Sequence, residues 1–436
     1  MLASLKRIVV LSDLKNVVIL SGGVFGAQII SVIVQPIATR LYSPLDFGMI
    51  AIVTSLVSMF APVLNGHYDL CIVTVPSEEE SIIVTSLALR VGMIMSAAVG
   101  IGIFLYKMMI PGAFGGAGAL IFAAIPMILL SAITNVLNSY NNRHREYKLL
   151  ASLSLVRSSA SNAVKLAFGV FGSGSLGLLA SAITGLVAGL GRQSRGVRKN
   201  KGRILKVGAG DLWAATKQYR AQPLFSAPGI FVVSYSYAIV TFLMSSLYGV
   251  KEVGFYSLSM GMLGLPISLF SANVGRVFFR NASDEKARTG GFRKSLTSSL
   301  ILLVAIAVVP FLLLYIFGEP IFSFAFGRQW IRSGAMVRLL IPWYFMNFVV
   351  GSLVIGLIIS GKQFLKLALQ GLFIVSALIC HFGAKYCAWS SDTFLLSVSI
   401  AYAATYSIIL FVLYMSSAPS KNTDEIGDRG PQLSLE

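Results

Sequence analysis

The stretch "LYSPLDFGM", Leu41–Met49, is echoed by "LYGVKEVGF", Leu247–Phe255, so that Tyr42 and Gly48 share the spacing of Tyr248 and Gly254 at an offset of 206 positions. Each turn closes a long apolar run, and the offset is close to half of the 436 residues. A second echo agrees with the first. "ALIFAAIPMIL" from Ala119 and "AMVRLLIPWYF" from Ala335 bring Pro126 and Pro342 into register at an offset of 216. Two halves with the same element order and orientation form a parallel repeat, related by an axis along the membrane normal.

The membrane itself follows from composition. Hydrophobic residues make up 56% of the chain and charged residues 12%, with a mean hydropathy of +0.79. Soluble domains run at roughly 45–50% and about 25%. Apolar windows near the ~20 residues needed to cross a bilayer fall at 16–38, 47–73, 82–105, 117–138, 151–171, 175–191, 223–246, 253–274, 295–317, 334–358, 365–383 and 393–415. The expected fold is an all-α polytopic membrane protein of about twelve transmembrane helices, in two six-helix lobes related by a parallel pseudo-two-fold. The expected layout is an N-terminal lobe over 1–191, a basic cytoplasmic linker over 192–222, a C-terminal lobe over 223–415 and a disordered polar tail over 416–436. The leading run lacks a small-residue cleavage site and reads as an uncleaved first span.

With the N-terminus inside, the alternating loops hold 25 Lys and Arg on the cytoplasmic side and 6 outside. That asymmetry places both termini in the cytoplasm. It also accounts for the net charge of +18 without a nucleic-acid partner. The acidic "PSEEES" loop is the exception, tolerated because Asp and Glu weigh little in this rule. Cys71, Cys380 and Cys387, and His67, His144 and His381, have no metal-ligand or disulfide spacing. Neither a metal nor a cofactor is expected. "GSGSLG", Gly172–Gly177, lacks the strand that a nucleotide-binding GxGxxG needs and reads as a turn between spans. "GGVFG", Gly22–Gly26, offers small residues for helix packing. No set of side chains suited to nucleophilic or acid–base catalysis can be placed together, so no enzyme activity is expected.

The fifth window carries the unusual chemistry. In "LLASLSLVRSSASNAVKLAFGVFG", Leu149–Gly172, the residues Ser154, Arg157, Ser158, Ser161, Asn162 and Lys165 recur every three or four positions, along one side of a helix. A cation at the centre of a spanning helix costs roughly 2.5–3.5 kcal/mol on insertion scales, so such residues face protein or water. The competing reading is that Arg157 sits near the cytoplasmic end and Lys165 snorkels toward the outside interface. Asp69, Arg90 and Arg157 fall at comparable depth, about 6–12 Å from the cytoplasmic ends at 1.5 Å per residue. Asp69 and Arg157 are therefore candidates for an ion pair, serving as an inner gate or as a static tie within the first lobe. Arg276 and Arg280, four apart at the end of the eighth span, either extend a basic lining or act as positive-inside anchors. Arg338 near the outer end of the tenth span is equally ambiguous. A cavity lined by Arg90, Arg157, Lys165, Arg276, Arg280, Ser161 and Asn162 would suit an anionic headgroup, because Arg grips phosphate bidentately and Lys acts as a point charge.

Three stretches carry a family resemblance: "ATRLYSPLDFGMIAIVTSLVSMFAPVLNGHYDLCIVTVPSEEE" (38–80), "NVLNSYNNRHREYKLLASLSLVRS" (135–158) and "FGRQWIRSGAMVRLLIPWYF" (326–345). They resemble Wzx-type O-antigen flippases, the polysaccharide transporter branch of the multidrug, oligosaccharidyl-lipid and polysaccharide exporter superfamily. Asp69 stands where that family usually has an acid, whereas His67 stands where a basic residue is commoner. The resemblance implies two lobes alternating between inward and outward openings. It also implies an undecaprenyl-pyrophosphate-linked oligosaccharide, an O-antigen or other polysaccharide repeat unit, as cargo moved from the cytoplasmic to the outer leaflet of the bacterial inner membrane. Expected partners are this lipid-linked glycan, membrane lipids and polysaccharide polymerase machinery. Proton or sodium coupling is left open. A multidrug exporter of the same superfamily is the first alternative, disfavoured by the basic bias; a membrane glycosyltransferase or polymerase would need outer acids, and Asp46, Glu252, Glu319 and Asp392 are scattered singly.

Overall fold

A computed structural model describes residues 2–110, 112 and 114–418; the polar tail expected after 416 lies, from 419 onward, outside the described residues. Its elements, in order, are helices α1 (Leu2–Leu41), α2 (Pro44–Phe60), α3 (Tyr68–Thr74), α4 (Glu78–Met109), α5 (Ala124–Arg143), α6 (Tyr147–Val170) and α7 (Gly174–Val187). Short helices α8 (Leu190–Gln193), α9 (Arg195–Lys199), α10 (Lys201–Leu205) and α11 (Ala209–Gln218) make up the basic segment. They are followed by α12 (Ala227–Tyr248), α13 (Val250–Pro266), α14 (Ala272–Thr289), α15 (Arg293–Phe326), α16 (Ile331–Val350), α17 (Gly356–Ile359), α18 (Gln363–Tyr386) and α19 (Ser391–Ser416). The protein is an all-α polytopic membrane protein.

Among the described residues, nine helical stretches are long and apolar enough to cross a membrane. They coincide with nine of the twelve expected windows. The other three windows are helical as well, and each falls short for a visible reason. The fifth is α6, whose polar stripe lowers its hydropathy. The second is broken into α2 and α3, and the eighth passes from α13 into α14 through a π-helical turn at Ile267–Ser271.

The break in the second window is built by Gly66 and His67, both left-handed at φ 58° and 63°. Side-chain amides hold the backbone there: Asn135 Nδ2 donates to the carbonyl of Ala61 at 2.8 Å, and Asn65 Nδ2 to that of Ala88 at 3.0 Å. Such interruptions persist in a bilayer only where other groups satisfy the freed backbone.

Helix starts are written locally. Ser43 caps α2, its Oγ accepting from the Asp46 amide at 3.2 Å while Asp46 accepts from the Ser43 amide at 3.0 Å, with Pro44 in the first turn. The acidic loop has the same explanation. Ser77 caps α4, and Glu78, Glu79 and Glu80 occupy its first turn, where negative charge complements the helix dipole. Glu78 also pairs with Arg143 at 3.5 Å and His144 at 3.3 Å.

The chain divides into two compact units, Met1–Leu258 with Phe322–Arg332, and Ser259–Ile321 with Ser333–Glu436. In the first, α6 lies against α1 and α7, and α12 lies against α2. Small residues make the α1–α6 approach. A Cβ on Gly23 would sit 2.6 Å from Ala151, and one on Gly26 would sit 2.9 Å from Leu155, whereas one on Gly22 would meet nothing within 4 Å among the described residues. In the second unit, Trp343, Phe373, Tyr402 and Tyr406 form an aromatic core with ring centroids 4.6–4.9 Å apart. Gly334 lies against the backbone of Gly318 and Glu319, where a Cβ would come within 2.7 Å.

The repeated turns meet each other inside the first unit. A Cβ on Gly48 would lie 1.9 Å from the carbonyl oxygen of Val250, and one on Gly254 would lie 1.7 Å from that of Pro44. Pro44 and Val250 are themselves repeat equivalents, as are Gly48 and Gly254. The contact is therefore reciprocal, as a local two-fold axis between α2 and α13 requires. "FGRQW" packs on the same joint. The indole of fully buried Trp330 stands edge-on to Phe47 at 5.0 Å and to Phe255 at 5.9 Å. Its Nε1 and Gln329 Nε2 both donate to the carbonyl of Thr39, at 2.8 and 2.6 Å. Thr39 is near the C-terminal end of α1, where carbonyls lack partners within the helix.

Candidate substrate-binding site on the sixth helix

The α6 stripe divides into a part engaged with neighbouring helices and a part left over. Ser158 Oγ donates to the carbonyl of Ala27 on α1 at 2.7 Å and lies 3.1 Å from Ser31 Oγ. Asn162 Nδ2 reaches Ser31 Oγ at 3.2 Å and the carbonyl of Ser158 at 2.9 Å. On the other flank, Ser161 and Ser181 of α7 share a hydroxyl contact at 3.0 Å, and Ser181 Oγ donates to the Ser161 carbonyl at 2.9 Å. These interhelical hydrogen bonds are the polar adhesive expected between helices in lipid. Ser161 and Asn162 thus hold α1, α6 and α7 together.

Arg157 is half-buried, and its Nη2 donates to Gln193 Oε1 at 2.6 Å while Nε donates to the carbonyl of Ala188 at 3.3 Å. Ala188 follows the last residue of α7. Gln193 is fully buried and passes the interaction on: its Nε2 donates to Asn138 Oδ1 at 2.7 Å, and its carbonyl accepts from Asn141 Nδ2 at 2.9 Å. A charge-assisted hydrogen bond of this kind ties α6 to α5 and to the start of the basic segment.

Lys165 lies two turns further along α6, half-buried. Among the described residues, no carboxylate or hydrogen-bond acceptor reaches its ammonium. Its own backbone carbonyl accepts from the hydroxyl of buried Tyr42 at 2.7 Å, which fixes α6 against the first repeat turn. A half-buried ammonium without a partner carries a desolvation cost that an anionic ligand would offset.

The remaining candidates are placed as follows. Arg90 donates from Nη2 to the carbonyls of Leu205 and Val207 at 3.3 and 3.4 Å, tying α4 to the end of α10. Asp69 and Arg157 are not brought together as an ion pair. Asp69 Oδ1, His67 Nδ1 and Asn65 Oδ1 are buried without a described partner at the α2–α3 break. In the second unit, Arg276 and Arg280 are exposed on the first turns of α14, beyond the π-helical turn, with Arg276 Nη2 bonded to Asn273 Oδ1 at 2.6 Å. Arg338 is engaged by Glu319 at 3.7 Å and by the carbonyl of Tyr315 at 3.1 Å. Tyr42 and Gly48, and Gly254 opposite them, form the joint between α2 and α13.

Gln193, Asn138 and Asn141 were not among the expected site residues. The signal lay in "NVLNSYNN" (135–142), whose asparagines recur at helical spacing across the end of a predicted span, and in Gln193 just past the end of another. The basic segment is docked elsewhere too. The Tyr219 hydroxyl donates to Glu80, and burial together with that carboxylate pushes the phenol up to about 12.

The sequence profile of the family described as polysaccharide biosynthesis protein matches residues 37–190 and 229–335, more than half of the chain. The chain belongs to this family. The matched parts include the α6 stripe and the reciprocal joint and leave out the basic segment. No curated protein matches the chain. Among solved structures, the lipid II flippase MurJ in an inward closed conformation superposes with a TM-score of 0.67 at 14% identity, over 92% of this chain and 87% of that one. An inward-facing multidrug resistance MATE family transporter of the MOP superfamily superposes with a TM-score of 0.54 at 14% identity, over 93% and 96%. An outward-facing MATE transporter gives 0.50 at 12% identity, over 92% and 94%. The fold is that shared by these transporters.

Proposed function

We propose that the protein is a flippase that moves a pyrophosphate-linked oligosaccharide on a polyprenyl carrier, an O-antigen or other polysaccharide repeat unit, from the inner to the outer leaflet of the bacterial cytoplasmic membrane. The observation that carries the reading is the Lys165 ammonium, half-buried on the polar side of α6 and unpartnered among the described residues, in a member of the polysaccharide biosynthesis protein family. A diphosphate would provide the missing counter-charge. Arg157 and the exposed Arg276 and Arg280 would add to a positive field around the path, with residues 1–191 and 223–415 acting as two lobes that open to one side and then the other. Both termini would lie in the cytoplasm. Export of the negative charge is favoured by the resting potential at about 2.3 kcal/mol per charge per 100 mV.

The test is reconstitution of the full chain into liposomes with a fluorescent polyprenyl-pyrophosphate oligosaccharide, followed by measurement of the leaflet it occupies. Movement that depends on the protein, accelerates with an inside-negative potential and falls strongly in Lys165→Gln is the expected result. A cargo that stays in its leaflet at any voltage refutes the proposal.

A further inference from the structure

A cavity of about 610 Å³ lies apart from the α6 stripe, between the ends of α5 and α6 and the basic segment. Its volume is in the range of small-ligand sites. Four cations line it: Lys148 on the first turn of α6, Arg192 on α8, and Arg195 and Lys199 on α9. One carboxylate, Glu146, lines it as well. All four cations are exposed, and among the described residues none makes a hydrogen bond or ion pair through its side chain. Their neighbours behave differently. Arg143 is held by Glu78 and by the carbonyls of Ile72, Val75 and Ser77, Arg198 donates to the carbonyl of Gly191, and Arg90 is bound to Leu205 and Val207. Arg143, Arg198 and Arg90 are thus anchored on backbone carbonyls, whereas these four cations are gathered around one concavity.

Two further features suit an anion. The first turn of α6, a 24-residue helix, borders the cavity without a side-chain cap, and the amides of Lys148 and Leu149 have no described acceptor. Those amides and the helix dipole favour negative charge. Elsewhere in the lining, the Tyr140 ring lies against His144 at 4.4 Å with a tilt of 30°, and its hydroxyl accepts from Asn200 Nδ2 at 2.8 Å. Two arginines, two lysines and free amides around one hollow are the chemistry that recognises phosphate oxygens.

We infer that this cavity is a binding site for a phosphate-bearing headgroup. The inference does not require that the protein translocate a lipid. It differs from ordinary positive-inside anchoring, which needs no concavity and no helix terminus. Either an anionic phospholipid or a diphosphate carried by another lipid presents the same oxygens.

The experiment places the full chain in phosphatidylcholine nanodiscs and titrates inorganic pyrophosphate by calorimetry. Saturable binding is expected, weakened about tenfold in Arg195→Gln/Lys199→Gln, a loss in line with removing charge-assisted hydrogen bonds. The charge-matched Lys217→Gln/Arg220→Gln, exposed and outside the cavity lining, should bind as the parent does. Repeating the titration in nanodiscs containing phosphatidylglycerol separates the sources. Competitive weakening there assigns the site to phospholipid headgroups, and unchanged affinity assigns it to a diphosphate. Absence of saturable binding, or equal affinity in the two double variants, overturns the inference. Equal melting temperatures of parent and variants exclude unfolding as the cause of a loss. Failure of lipid translocation with pyrophosphate binding intact would count against the flippase reading alone.

Discussion

Gly48→Ala is the sharpest test of the joint between α2 and α13. The added methyl would lie 1.9 Å from the carbonyl oxygen of Val250, where ordinary contact begins near 3.4 Å. The helices must therefore part by about 1.5 Å, since the obstacle is backbone rather than the flexible end of a side chain. Parting them also loosens Trp330 from Phe47 and Phe255 and strains its hydrogen bond to Thr39. Overpacking typically costs about 1–3 kcal/mol, and a backbone clash belongs at the upper end, near 3 kcal/mol. At about 2–4 °C per kcal/mol for a unit of this size, the melting temperature should fall by roughly 6–12 °C. Buried Cys71 reports on the first unit, so a thiol-reactive dye in a Cys380→Ser/Cys387→Ser background follows this unit's unfolding. Gly254→Ala should cost a similar amount, because its methyl would meet the Pro44 carbonyl at 1.7 Å. The double variant should cost clearly less than the sum, since one separation admits both methyls. A melting temperature within about 1 °C of the parent, or strict additivity, would refute the reciprocal contact.

Arg157→Ala should lower stability by about 1–3 kcal/mol by leaving buried Gln193 Oε1 without its donor, whereas Lys165→Gln, which removes an unpartnered half-buried charge, should hold or raise the melting temperature; the same dye assay distinguishes them. Arg90→Gln should free the basic segment from α4 and accelerate trypsin cleavage within Arg192–Lys206, read by mass spectrometry of the fragments. Glu285 accepts from the Ser295 amide at 2.7 Å and the Lys294 amide at 3.0 Å, capping the first turn of α15. Burial pushes its carboxyl up, but these bonds and the Ser295 hydroxyl outweigh it and hold the carboxyl below its ordinary value of 4.5. The carboxylate form is thus favoured by folding, and its stabilisation is present above pH 4.5 and lost as pH falls through the lowered value. The protection factors of the Lys294 and Ser295 amides should fall over that acid range in the parent and be low at all pH values in Glu285→Ala; protection that does not change with pH would contradict the cap.

The sequence made the periodic features legible and left the interruptions hidden. Hydropathy windows found the spans because burial in lipid selects for length and apolarity, which are properties of composition. They ran straight through residues 61–67, where two left-handed residues break the helix, because a window averages over a turn. The local punctuation was present in "PVLNGH", with Pro62 and an Asn–Gly pair. The acidic loop looked like an exception to charge sidedness until its residues were placed at a helix start, where Glu78, Glu79 and Glu80 complement the dipole.

The α6 stripe shows why a polar face by itself does not define a site. Spacing placed Arg157, Ser158, Ser161, Asn162 and Lys165 on one side, and α6 in fact presents them to two neighbours. Ser158 and Asn162 face α1, Ser161 faces α7, and Arg157 reaches past α7 to Gln193. A cation in a spanning helix can be kept for structure when its partner is neutral: Gln193 and the Ala188 carbonyl offer Arg157 acceptors without forming an ion pair. Partners of that kind come from segments 30 or more residues away and carry no charge, so neither periodicity nor charge counting reveals them. What distinguishes Lys165 is the absence of such an arrangement among the described residues. If Lys165→Gln leaves translocation unchanged while Arg157→Ala abolishes it only in proportion to lost fold stability, both cations of α6 are architectural, and recognition of the diphosphate must reside elsewhere in the chain.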